Sequence, residues 1–167
     1  MQRRRLVEVG VALSTGLGSV SRAWAQMPQV IRPDGPVLGS TGFGTAEARA
    51  QRGTNGHFFL VGYVNGGALQ FVVDTGASDV ALRVEDAAKA GIDTDRLVYS
   101  ISARTANGTA RYAPVVFETL RVGGITKRNV KGSISQPGAL GINLLGQSFT
   151  GRVTEMRIEG DLLVLRD

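Results

Sequence analysis

The sequence contains no cysteine and a single histidine, His57, among its 167 residues. Without cysteine the chain has neither a disulfide framework nor a thiol-ligated metal, and one histidine argues against a zinc site. No serine stands in a Gly-x-Ser-x-Gly setting that would pair with this histidine. We therefore expect His57 to be a structural residue at the start of a strand, and we expect no cofactor.

Long hydrophobic runs are also missing. The apolar stretch Leu6–Val20 carries Glu8 and falls short of the roughly 20 apolar residues that span a bilayer. It follows Arg3–Arg5 and precedes Ala23-Trp24-Ala25, the pattern of a cleaved signal peptide. We predict that residues 1–25 direct export, to the periplasm or the medium. The alternatives are an uncleaved N-terminal anchor, with membrane association, and a disordered N-terminal segment.

Aromatic residues make up only 6% of the chain, and its positive charge lies mostly at one end. Four arginines and one glutamate in the first 25 residues account for most of the net charge of +5. The remainder has no stripe of lysine and arginine interleaved with aromatic residues, which is the pattern typical of nucleic-acid binding. No nucleic-acid partner is expected.

Residues 26–56 contain few large apolar side chains and many prolines and glycines. Pro28, Pro33 and Pro36 argue against a long helix there. We interpret this segment as a flexible linker, with a short helix over Ala46–Gln51. The folded domain is then expected to span residues 57–167, which is long enough to bury a core without disulfides.

From His57 onward, short apolar-rich segments alternate with turn signals. Asn65-Gly66-Gly67 predicts a hairpin, because asparagine and glycine tolerate the positive φ that such turns need. A second hairpin is predicted around Thr105–Gly108. The predicted strands are His57–Val64, Ala68–Val73, Asp79–Leu82, Leu97–Ala103, Thr109–Val122, Ile125–Ile134, Arg152–Ile158 and Leu162–Leu165, with a short helix over Val84–Ala90 and a helix or turn over Asn143–Phe149. This pattern indicates an all-β fold, a small barrel or sandwich with one or two short helices.

One acidic residue stands in an unusual setting, where the apolar strand Phe71-Val72-Val73 runs directly into Asp74-Thr75-Gly76-Ala77-Ser78. The strand anchors the backbone of Asp74, and Gly76 lets the loop turn sharply and a ligand approach it. One carboxylate activates water poorly. Two carboxylates about 3 Å apart share a proton, so one acts as a base and the other as an acid. Asp74 is the candidate catalytic residue, and it needs a second carboxylate.

This loop resembles the active-site loop of retropepsin-like aspartic proteases, particularly the small single-domain type found in bacteria. The likeness runs from about His57 to the C-terminus, with its elements in the family's order. The strand pair around Asn65-Gly66 comes first and the Asp74 loop second. Thr105–Gly108 then occupies the place of the substrate-covering flap, and Leu144-Leu145-Gly146 resembles the family's second hydrophobic-hydrophobic-Gly motif.

The resemblance implies a small closed barrel and an aspartic endopeptidase that is active as a homodimer. Each subunit would donate one loop, in which Asp74 is catalytic, the Thr75 hydroxyl interlocks the two loops and the backbone of Gly76 contacts substrate. A polypeptide substrate would bind as an extended strand. It would lie under the flap, which comprises Thr105, Ala106, Asn107 and Gly108.

Two departures from the family pattern leave alternatives open. Leu140-Gly141 also fits a hydrophobic-Gly pattern, so two registers of the second motif remain. Gln147 follows Gly146 where viral members usually carry arginine, which leaves open whether the family's loop-bracing ion pair forms here. The alternatives are a catalytically inactive peptide-binding or dimerisation module, and an unrelated β-barrel in which Asp74-Thr75-Gly76 is only a turn.

Overall fold

The computed structural model describes residues 45–105 and 108–167, which belong to one compact unit of the chain. Strands dominate these residues and helices are short, so the predicted all-β class is confirmed. The strands are β1 (Glu47–Gln51), β2 (Phe59–Val64), β3 (Gly67–Val73), β4 (Val80–Arg83), β5 (Ile101–Thr105), β6 (Gly108–Val122), β7 (Ile125–Ser135), β8 (Asn143–Leu145), β9 (Glu155–Glu159) and β10 (Leu162–Arg166). The helices are α1 (Val84–Ala87) and α2 (Gln147–Thr150), with 3-10 turns at Ala88–Ala90 and Thr94–Arg96.

The larger sheet has the strand order β2-β3-β8-β4-β7-β6-β5, and β2 also pairs with β6. This extra pairing joins Gly62–Val64 to Leu120–Val122 and curls the sheet back on itself. A smaller antiparallel sheet has the order β1-β10-β9. Large apolar side chains from both sheets and from α2 are fully buried in one core, and these include Phe71, Phe117, Phe149, Leu82, Leu120, Ile134, Leu145, Leu163 and Leu165.

The hairpin between β2 and β3 forms as the sequence predicts. Asn65 and Gly66 both have positive φ, at 49° and 92°, which matches the twist of the flanking strands. Its turn packs against the 3-10 turn after α1, where the Asn65 side chain donates to the carbonyl of Ala90 at 3.1 Å. The helical segment predicted over Val84–Ala90 is also present, and it ends at Gly91, which has a left-handed φ of 70°.

The predicted helix over Ala46–Gln51 is wrong, because this segment forms strand β1. Ala48 and Ala50 point into the core and pair with Leu165 and Leu163 of β10. Burial of these alternating alanines against β10 outweighs the helix propensity of alanine. The end of the predicted linker is therefore part of the folded unit, whereas the predicted signal segment and residues 26–44 lie outside the described residues.

The segment predicted as a helix or turn over Asn143–Phe149 divides into strand β8 and the start of helix α2. Too few residues lie in each piece for a sequence period to separate them. In the described parts of the chain, no helix has the length and apolar character needed to cross a membrane.

Candidate active site

Strand β8 lies between β3 and β4, parallel to β3 and antiparallel to β4. Phe71, Val72 and Val73 of β3 align with Asn143, Leu144 and Leu145 of β8. The chain leaves β3 at Asp74, re-enters the sheet at Val80 and leaves β8 at Gly146, so the Asp74 loop meets the start of α2.

Gly146 is in close contact with this loop. A Cβ atom at Gly146 would lie 2.2 Å from the carbonyl oxygen of Asp79 and 2.7 Å from that of Ala77, so only glycine fits without a backbone shift. The two residues before it, Leu144 and Leu145, lie in the strand next to β3. The structure therefore places Leu144-Leu145-Gly146 against the loop, while Leu140-Gly141 lies in the connection between β7 and β8.

Asp74 is half-buried and its backbone continues the sheet, because its N–H donates to the carbonyl of Leu145 at 3.2 Å. Its Oδ1 accepts a hydrogen bond from the N–H of Gly76 at 2.9 Å. The loop closes as a turn in which the N–H of Ala77 donates to the carbonyl of Asp74 at 3.3 Å. Within the residues that the structure describes, no donor contacts Oδ2, so this oxygen remains available to a water molecule or a second carboxyl.

The start of α2 holds the loop through main-chain hydrogen bonds. The N–H of Gln147 donates to Ala77 at 2.8 Å, and the N–H of Ser148 donates to Ser78 at 2.9 Å. The Ser148 hydroxyl also accepts from the N–H of Val80 at 2.9 Å and donates to the carbonyl of Lys131 at 2.7 Å. The sequence did not predict this role of Ser148, because its neighbours in the chain do not indicate that its hydroxyl forms hydrogen bonds with β4 and β7.

A side-chain hydrogen bond adds to these ties. The Nε2 of Gln147 donates to the carbonyl oxygen of Thr75 at 2.7 Å. Among the described residues, no ion pair involves residues 74–80 or 146–150. Hydrogen bonds between uncharged groups therefore connect the loop to α2. One of them comes from Gln147, which stands where viral members usually carry arginine.

The outer part of the loop faces solvent. Thr75, Gly76 and Ser78 are exposed, and the Thr75 hydroxyl has no hydrogen-bond partner within the described part of the chain. An exposed loop with a free hydroxyl and an accessible glycine backbone can accept another polypeptide, either a substrate or a second copy of the same loop.

The face of the sheet that carries Asp74 is lined mainly by small and aliphatic side chains. Asp74 lies two residues after Val72 and so shares its face. In the register of the sheet, Val72 is next to Leu144, Leu144 is next to Ala81, and Ala81 is next to Ser133. Val72 and Leu144 thus place partly exposed apolar surface beside the carboxylate, while Ala81 and Ser133 are buried.

The predicted second hairpin is present between β5 and β6. Thr105 pairs with Gly108 at its end, while Ala106 and Asn107 of the predicted flap lie outside the described residues. At the base of the hairpin, the Arg111 guanidinium donates to the carbonyl of Tyr99 at 2.6 Å. The arrangement is that of an arm extending from the sheet, and its role as a flap stays a prediction.

A buried amide supports the strands beneath the site. Asn143, which is 2% exposed, donates to the carbonyl of Gln70 at 2.9 Å and accepts from the N–H of Arg83 at 2.8 Å. Its amide also contacts the Asp86 carboxylate at 3.2 Å. Burial by itself would raise the pKa of Asp86. Hydrogen bonds from Lys89 and Asn143, together with the nearby charges of Lys89 and Arg83, outweigh this effect. The pKa of Asp86 is therefore lower than its ordinary value.

His57 lies just before β2, next to an aromatic side chain. Its ring stands edge-on to Phe59, with the centroids 6.4 Å apart. The described residues also contain no cluster of three or more histidine, aspartate or glutamate side chains that could hold a metal ion.

Comparison with known proteins identifies the family. The family of gag-polyprotein putative aspartyl proteases matches residues 60–152, which is more than half of the chain. A solved structure of a retropepsin-like aspartic protease from Rickettsia conorii is 39% identical, with a TM-score of 0.66, and the alignment covers 74% of this chain and 92% of that one.

Two curated relatives are uncharacterized proteins. One, from a Sinorhizobium species, is 40% identical over 124 residues, which cover 74% of this chain and 53% of the relative. The other, from Rickettsia prowazekii, is 43% identical over 114 residues, which cover 68% of this chain and 48% of the relative. The aligned region thus spans about half the length of each curated relative. From the family match, the similar structure and the all-β fold, we conclude that this chain belongs to the retropepsin-like aspartic proteases.

Proposed function

We propose that the protein is an aspartic endopeptidase whose active site forms between two copies of the chain, each contributing Asp74. The supporting observation is the position of Asp74, at the end of a core strand, with Oδ1 held by the N–H of Gly76 and Oδ2 free of donors in the described residues. One loop supplies one carboxylate, and water activation by shared protonation needs two. A second subunit is the simplest source of the other.

In the proposed mechanism one Asp74 is ionised and the other carries a proton. The ionised carboxylate takes a proton from a water molecule as the water oxygen attacks the scissile carbonyl, and the protonated carboxyl donates its proton to the carbonyl oxygen. Collapse of the tetrahedral intermediate breaks the C–N bond, and the amine leaves with a proton from the dyad. No covalent intermediate forms.

The proposed substrate is an extended polypeptide. Exposed Gly76 lets a substrate backbone approach the loop, and the arm formed by β5 and β6 offers strand hydrogen bonds to it. Val72 and Leu144, which are both half-buried, would contact apolar side chains near the scissile bond.

We also propose that the protein acts outside the cytoplasm, as the features of residues 1–25 indicate. Fractionation of cells that express the full chain, compared with a chain lacking residues 2–25, tests this. Retention of both chains in the cytoplasm would contradict export.

Replacing Asp74 with asparagine tests the catalytic assignment. Asp74→Asn keeps the volume of the side chain but removes the ionisable group, so kcat/KM on a peptide library should fall by about 10²–10⁴-fold while the melting temperature stays close to that of wild type. Asp95→Asn, at an exposed aspartate in a 3-10 turn, is the matched control and should keep full activity.

Full activity of Asp74→Asn would reject the assignment. A folded wild-type dimer that cleaves no peptide between acidic and neutral pH would instead identify a peptide-binding or dimerisation module.

A further inference from the structure

Gln147 contacts the candidate catalytic loop one residue after Asp74. Its amide donates to the carbonyl oxygen of Thr75 at 2.7 Å, while its own backbone N–H donates to Ala77 at 2.8 Å. The same residue therefore fixes the loop on both sides of Gly76, whose N–H holds Oδ1 of Asp74 at 2.9 Å. A shift of the Thr75 carbonyl would move Gly76, and with it the orientation of the carboxylate.

The chemistry of this contact differs from an ion pair. The glutamine amide does not titrate, and within the described residues no ion pair involves the loop. A brace of two charges weakens when its acid is protonated, whereas an amide-to-carbonyl hydrogen bond is unaffected by pH.

We propose that Gln147 is a positioning residue, an uncharged brace that holds the Asp74 loop in one geometry from acidic to neutral pH. This inference rests on the proposed function for its kinetic test only. The geometry of the loop can be tested without any activity.

The sharpest kinetic test is Gln147→Glu, which keeps the length of the side chain. A protonated glutamic acid can donate to the Thr75 carbonyl, and an ionised carboxylate cannot. The ratio of the variant's kcat to that of wild type should stay near one below the ordinary glutamate pKa of about 4.3 and fall by about fivefold or more above it. KM should change less than kcat, because the loop orients the reacting group.

Three further variants separate positioning from general effects. Gln147→Met has no donor and should lower kcat by about fivefold at every pH, whereas Gln147→Arg can still donate and should restore it. Gln51→Glu adds the same negative charge at an exposed position in β1 and should leave the pH profile unchanged. A pH profile of Gln147→Glu that parallels wild type would overturn the inference and leave the proposed function intact.

Amide hydrogen exchange measures the loop directly. In Gln147→Met, the amides of Gly76 and Ala77 should exchange several-fold faster than in wild type, while those of β6 stay unchanged. If no form of the protein cleaves peptides, the proposed function fails, yet this measurement still decides the inference. Unchanged exchange at Gly76 and Ala77 would overturn it.

Discussion

At the scale of single residues, the candidate site depends on Asp74 and Gly146, for different reasons. The proposed mechanism requires one carboxylate oxygen of Asp74 to be free, and Oδ1 already accepts a hydrogen bond from the N–H of Gly76. Gly146 must have no side chain, because the loop carbonyls of Asp79 and Ala77 occupy the space of a Cβ atom. The two sequence motifs therefore meet in the fold. Gly146, the last residue of the hydrophobic-hydrophobic-Gly motif, has no side chain, and the loop that follows Asp74 packs against it.

Gly146→Ala should disrupt this contact. A Cβ atom 2.2 Å from the carbonyl of Asp79 forces the loop or α2 to move, at a cost of about 3 kcal/mol in the free energy of unfolding, and activity should fall with it. Gly91→Ala is the comparison, since its Cβ would meet nothing within 4 Å and only the left-handed φ is strained. Its cost of about 1 kcal/mol should be smaller. Chemical denaturation measures both, and equal losses would contradict the steric account.

Asp86, beneath the candidate site, should make the free energy of unfolding fall in strong acid. The pKa of Asp86 is lower in the folded protein than its ordinary value of 3.8, so folding favours the ionised form. Ionised Asp86 therefore stabilises the folded protein above pH 3.8. This stabilisation is lost as the pH falls through the lower pKa of the folded state.

Asp86→Asn should therefore lower the free energy of unfolding by about 1 kcal/mol at pH 6, and the difference from wild type should shrink in strong acid. Denaturation of both proteins across this range tests the sign. A difference that grows as the pH falls would contradict the assignment of Asp86 as an ionised partner of Lys89 and Asn143.

At the scale of elements, the sequence predicts those whose signals are local. Asn65-Gly66 and the segment Thr105–Gly108 indicate their hairpins through turn residues, and the strands on either side pair as expected. The run of apolar residues before Asp74 similarly marks β3. These features depend on neighbours in the chain, and so the sequence is sufficient to recognise them.

Elements that depend on distant partners are not recognisable in this way. The sequence of β1 predicts a helix because its alanines favour one, and its pairing partner β10 lies more than 110 residues away. The contacts of Gln147 with Thr75 and of Ser148 with Lys131 likewise join segments that only the fold brings together. The sequence therefore predicts residues for the candidate site, but it does not reveal the side chains that hold the Asp74 loop in place.

The strand assignment of β1 has a direct test. Ala48 is 6% exposed and pairs with Leu165, so Ala48→Asp would bury an unpaired carboxylate and should destabilise the fold by about 3 kcal/mol. Thr45→Asp adds the same group at an exposed position before the strand and should change stability by less than about 0.5 kcal/mol. Equal stability of the two variants would show that the segment is a linker after all.

At the scale of the whole molecule, the proposed mechanism needs two copies of the Asp74 loop. Each chain supplies one Asp74 loop with an exposed Thr75, and the proposed mechanism requires two carboxylates around one water molecule. Activity should therefore be a property of pairs of chains, lost on dilution to monomers and dependent on both copies of Asp74.

Mixing wild-type chains with Asp74→Asn chains at constant total concentration tests this claim most directly. After refolding together, the chains should pair at random, and only wild-type pairs would hold two ionisable carboxylates. Peptidase activity should then follow the square of the wild-type fraction, with about one quarter remaining in an equal mixture. Activity directly proportional to the wild-type fraction, with about one half remaining, would show that a single chain suffices and would contradict the account.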